Sequence, residues 1–100
     1  MDKKIIVPEK KIEFYMTCGI SADMDNDNAF ACEIGMYISR FTKGDWGDLC
    51  EDDKELNRAA LKDGGRVLAA YTSSKGIVYI ITDDTKANPQ VTTVLYASEY

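Results

Sequence analysis

Residues 12–18 alternate, with Ile12, Phe14, Met16 and Cys18 set against Glu13, Tyr15 and Thr17. Period two predicts a strand with one buried face. The stretch SADMDNDN at 21–28 is turn and cap chemistry, after which Phe30, Ile34, Tyr37, Ile38 and Phe41 recur at helical spacing. That spacing predicts a helix over 28–41, stopping near Gly44. Ala29, Ala31, Cys32 and Met36 fill most of its other positions, and Glu33 and Arg40 mark the wet line. Such a helix is either central to the core or half covered by a partner.

A second helix is announced by Asp48, with Glu51 three residues later in the D-x-x-E form of the capping box, and it ends at Gly64-Gly65. Leu49, Leu56, Ala59, Ala60 and Leu61 give it one narrow inward stripe on an otherwise wet surface. Three strands follow: RVLAAYT, IVYIIT and VTTVLY. The loop SSKG makes a hairpin of the first two, and Asn88-Pro89 turns the chain before the third. The middle run, 77–82, is apolar on both faces and is expected at the centre of the sheet with helix on at least one side. The order β-α-α-β-β-β predicts an α+β fold, a single domain over 12–100. Its four-stranded, mainly antiparallel sheet should carry both helices on one face.

Charge adds a second layer. The formal net charge is -5, yet Lys3, Lys4, Lys10 and Lys11 stand against only Asp2 and Glu9 in residues 1–11. The expectation is a basic, flexible arm on an acidic body. An acidic body repels phosphate backbones, which disfavours direct nucleic-acid binding and favours a basic protein partner. The apolar run IIV ends at Pro8, too short for a signal peptide or a spanning helix, so a cytoplasmic protein with no membrane role is expected. Cys18, Cys32 and Cys50 are odd in number with no C-x-x-C pair, and read as reduced small hydrophobes.

Catalytic chemistry finds little support. The chain has no histidine, which removes the commonest general base and every Ser-His or Cys-His arrangement. DMDNDN at 23–28 begins like a calcium loop, but Asn28 stands where glycine is needed and Ile34 where a bidentate glutamate is needed, so helix capping is the better account. DDTK at 83–86 contains an acid-x-Lys triplet, but it falls in a turn that would not fix convergent carboxylates. Neither phosphate-cradling glycine motif is present. The expectation is therefore a non-enzyme with no catalytic residue, metal or cofactor.

The stretch TKGDWGDLCEDDKELN holds the only tryptophan. Asp48, Glu51, Asp52, Asp53 and Glu55 suit the first turn of a helix, where each carboxylate is worth about 0.3–1 kcal/mol against the helix dipole. Trp46 has no such account. It either folds back as a core plug or stands with Asp45 and Asp48 as an exposed aromatic anchor in an acidic rim. In the second case Trp46, Asp45, Asp48, Glu51, Asp52, Asp53 and Glu55 form a partner-binding face suited to an arginine-rich surface.

The blocks GDWGDLCEDDKELN, ALKDGGRVLAAY, YIIT and TTVLYASEY resemble a family of small uncharacterised proteins of bacterial phages, plasmids and integrated elements. That family carries G-D-W-G-D-L-C-E-E-D-K, A-L-x-x-G-x-R-[LI]-L-S-A-Y, I-W-I-I-T and T-T-V-L-F-P-x-E-Y. The likeness spans about residues 12–100; the chain departs in its basic arm, its longer DDTKANPQ loop and its Tyr96-Ala97. No catalytic residue comes with it. It implies a mobile-element protein of the anti-CRISPR or anti-restriction type, which binds a CRISPR effector or restriction nuclease stoichiometrically inside the bacterial host. The alternative is a structural or regulatory subunit of a phage or plasmid complex, with the first helix as a dimer surface; a monomer and a homodimer are both open.

Overall fold

The structure, a computed structural model, describes residues 12–100, and the expected basic arm lies outside the described residues. Strand β1, Ile12–Met16, is shorter than its alternating pattern because Thr17 turns the chain. The Thr17 hydroxyl accepts from the Ile20 N–H and caps helix α1, Cys18–Asn26. This helix corrects the expectation of a turn over 21–28. Asp and Asn cost roughly 0.5 kcal/mol each in a helix, but Ile20 is fully buried and Met24 packs on the core one turn later. Burying an isoleucine contributes about 2 kcal/mol, so packing wins over local preference.

Asp27 ends α1 and begins α2, Asn28–Thr42. Its carboxylate accepts from the N–H groups of Ala29 at 3.0 Å and Phe30 at 3.2 Å, the capping role anticipated for this stretch. Phe30, Ile34 and Tyr37 point into the core, while Cys32, Gly35, Met36 and Ser39 are exposed, so one face of α2 is covered and the other is not. Helix α3, Glu51–Asp63, closes at Gly64, whose φ of 95° suits glycine and whose N–H returns to the Ala60 carbonyl at 2.8 Å.

Strands β2, Val67–Ser73, β3, Gly76–Thr82, and β4, Gln90–Tyr96, complete a four-stranded sheet in the order β1-β4-β3-β2. The doubly apolar β3 lies inside the sheet as expected. Strand β2 is antiparallel to β3 and β3 to β4, whereas β1 joins β4 in parallel. Among the described residues the fold is thus α+β, with a mixed sheet and three α-helices instead of two.

The register puts Phe14, Val67, Ala69, Tyr71, Val78, Ile80 and Val94 on one face, which α1 and α2 cover with Ile20, Phe30, Ile34 and Tyr37. Tyr37 stacks on Tyr71 with ring centres 4.7 Å apart, and Phe30 on Tyr96 at 6.1 Å. Helix α3 does not share this arrangement, and the expectation of both predicted helices on one face is corrected accordingly. It lies against the outer edge of β2, with Asn57 and Ala60 turned inward. Leu56 and Leu61, expected in its inward stripe, are 68% and 53% exposed. The three cysteines are free and exposed.

Candidate partner-binding surface

Strand β2 ends the sheet, and an edge strand presents every second N–H and C=O without a strand partner. Here those residues are Leu68, Ala70 and Thr72, and each finds substitutes. The Asn57 side-chain amide takes both groups of Leu68, donating to its carbonyl at 2.8 Å and accepting from its N–H at 3.1 Å. Ala70 donates to the Trp46 carbonyl at 3.2 Å and accepts from the Asp48 N–H at 2.7 Å, so residues 46–48 form a short parallel bridge on the strand. Thr72 donates its N–H and its hydroxyl to the Asp48 carboxylate at 3.1 and 2.9 Å, and its carbonyl accepts from the Tyr37 hydroxyl at 2.9 Å.

This closure explains the spacing of G-D-W-G-D. Gly47 has a φ of 75°, and a Cβ there would lie 2.1 Å from the Ala70 carbonyl oxygen and 2.7 Å from the Tyr71 ring. Only glycine lets the chain approach β2 this closely. Asp45 folds the turn: its carboxylate accepts from the Gly47 N–H at 3.1 Å and forms a two-point pair with Arg40 at 2.9 and 3.3 Å. Those bonds, Arg40 first and then the Gly47 N–H, hold the Asp45 carboxyl below the usual aspartate value. The Asp45 carbonyl accepts from the Tyr71 hydroxyl at 2.6 Å, and burial pushes that phenol up. The Arg40 guanidinium lies 5.1 Å from the Tyr71 ring centre.

One open alternative is decided here and one expectation is overturned. Trp46 is 8% exposed and belongs to the core cluster, so its indole is a plug and not an exposed anchor. Asp48 does not cap α3: Cys50 is the N-cap residue and makes no side-chain bond, while the Asp48 carboxylate serves Thr72. The capping-box pattern fails because two donors on an open sheet edge compete for the same carboxylate.

The rest of the expected face behaves differently. Glu51, Asp52, Asp53 and Glu55 are all exposed on the first turns of α3. Arg58 reaches back to Glu51 at 2.7 Å and Glu55 at 3.1 Å, and its hydrogen bond to Glu55 lowers that carboxyl below its ordinary value. Asp52 and Asp53 have no ion pair among the described residues. Of the predicted set, then, Asp45, Trp46 and Asp48 converge on β2, and the other four stand outward as an acidic surface with Leu56 beside them. The sequence marks Arg40 only as a wet position of its helix, with no sign of its pairing to Asp45, and the one trace of Asn57 is a polar residue one turn before Ala60 on the inward line.

Among the described residues, no group of three or more His, Cys, Asp or Glu could hold a metal ion, and no helix is long and apolar enough to cross a membrane. No protein-family model, curated protein or solved structure matches the chain.

Proposed function

We propose that the protein is a small acidic binding module, without catalytic chemistry of its own, that acts stoichiometrically by covering a basic nucleic-acid-binding surface on a partner protein. The resemblance to mobile-element proteins makes a host defence nuclease, a CRISPR effector or a restriction enzyme, the partner class. The observation that carries this reading is the outward face of α3: Asp52 and Asp53, unpaired by any described residue, flank a 68%-exposed Leu56. Carboxylates steer a basic surface into contact, and an exposed leucine supplies apolar area to bury once there. Glu51 and Glu55 are partly neutralised by Arg58 and contribute less.

The test is competition between this protein and DNA or guide RNA for purified effector nucleases. Wild type is expected to displace nucleic acid at equimolar ratio, more weakly as salt is raised. The Asp52→Lys/Asp53→Lys variant should lose at least tenfold in affinity while remaining folded, its stability lowered only by the lost helix-dipole contribution of about 1–2 kcal/mol; equal inhibition by that variant would sink the proposal. A second reading is favoured by the exposed line of Cys32, Gly35 and Met36 on α2: a homodimer serving as a regulatory subunit. Tyr37 cannot take part, being turned into the core. Light scattering that shows a monomer at all concentrations would remove it.

A further inference from the structure

Beside the 43–47 loop, between the covered face of the sheet and α3, lies a cavity of ≈ 250 Å³. Ile12, Phe41, Trp46, Leu61 and Val67 wall it, and no charged side chain among the described residues lines it. Three of its polar lining side chains each have a partner within the protein. The Thr42 hydroxyl donates to the Ser39 carbonyl at 2.8 Å, the Thr85 hydroxyl to the Ala60 carbonyl at 2.7 Å, and Gln90 Nε2 to the Thr85 carbonyl at 2.9 Å. Thr82 is different. Its hydroxyl meets only that of Thr92, at 2.7 Å, and the two residues are 2% and 0% exposed. Two hydroxyls carry two protons; one lies between the oxygens, and the other has no acceptor among the described residues. A buried O–H left without an acceptor costs about 1–3 kcal/mol.

We infer that this cavity binds a small, neutral, largely apolar molecule carrying one hydrogen-bond acceptor, a carbonyl or ether oxygen, which takes the free proton of the Thr82–Thr92 pair. Charged ligands are excluded because nothing in the lining repays their desolvation. An apolar cavity of about 150 Å³ accommodates benzene, so a ligand of roughly ten heavy atoms fits here. The site is separate from the acidic face of α3 and does not depend on it.

Trp46 is both a wall of the cavity and the only tryptophan, so its emission reports on occupancy directly. Camphor, a compact ketone, and camphene, a hydrocarbon of closely similar shape, are titrated into the full chain while Trp46 emission and melting temperature are followed. Camphor is expected to act saturably and about fivefold more tightly than camphene, the worth of one neutral hydrogen bond. Thr82→Val should erase that preference and Thr82→Ser should keep it; if the valine variant does not fold, the comparison of the two probes on the native chain still decides. Absence of a saturable response, or equal affinity for ketone and hydrocarbon, overturns the proposal. So would nuclear Overhauser contacts from the Trp46 indole to methyls of Ile5, Ile6 or Val7, which would assign the cavity to the chain's own first residues. Emission that tracks protein concentration without ligand would assign it to a second copy, with the same result.

Discussion

Gly47 and Gly44 sit three residues apart, both with positive φ, and they should respond very differently to a methyl group. A Cβ on Gly44 meets nothing within 4 Å, so Gly44→Ala carries only the backbone penalty, about 1–2 kcal/mol. Gly47→Ala adds a collision with the Ala70 carbonyl and the Tyr71 ring, and should cost upwards of about 3 kcal/mol. In thermal melts that is a loss of at least about 12 °C, and a smaller effect than that of Gly44→Ala would refute the edge contact. Asn57 is a second single-residue test. Asn57→Ala strips both groups of Leu68 of their partners, and denaturant unfolding should register a loss of about 2–4 kcal/mol. These residues also show where sequence stops being informative. The period of Phe30, Ile34 and Tyr37 announced a buried face correctly, because burial repeats along an element. The work of Asn57 or Gly47 depends on one backbone atom of a strand far away in the chain, and no spacing encodes that.

At the scale of elements, α2, α3, β2, β3 and β4 were all legible, since each has a clear period and a punctuating cap or glycine. Helix α1 was not, because its Asp and Asn residues favour turns and only the contacts of Ile20 and Met24 with the finished core make it helical. The parallel pairing of β1 with β4 was equally hidden: its residues say strand, and nothing local says which neighbour. The edge closure by residues 46–48 makes a measurable claim about this level. Thr72 donates its N–H to a side chain instead of a strand, so Asp48→Ala should free that one amide. Hydrogen exchange at Thr72 is expected to accelerate at least tenfold, with the amides of β3 unchanged. Uniform acceleration along both strands would instead mean that Asp48 supports the whole sheet.

For the molecule as a whole, pH stability follows from groups whose titration the fold displaces. Asp27 is lowered chiefly by the Phe30 N–H and then by Lys75, Asp45 chiefly by Arg40, and Glu55 chiefly by Arg58. A lowered carboxyl stabilises the fold above its ordinary value, 3.8 for Asp and 4.5 for Glu, and that contribution is lost as pH falls through the lower folded value. Tyr71 and Tyr96 are raised, chiefly by burial, so their contribution is intact below the ordinary phenol value of 10.0 and drains away as pH climbs beyond it. Melting temperature against pH should be flat from about 5 to 9.5 and fall on both sides; a decline that begins near neutrality would contradict these assignments. The acidic surface belongs to this scale too. The charge pattern announced it, but which carboxylates are outward could only be read once β2 had claimed Asp48 and Arg40 had claimed Asp45.

A sheet grows by adding strands at its two ends, and in this protein one end is already occupied by the chain's own loop, its asparagine and its aspartate. Among the described residues, β1 is the single edge strand whose outer side has no partner. Two molecules that met there would each spend their one open edge, and a third would find nowhere to attach. Among the described residues, edge pairing between copies therefore terminates at a pair, and the same few residues that seat the tryptophan guard the sheet against fibre growth.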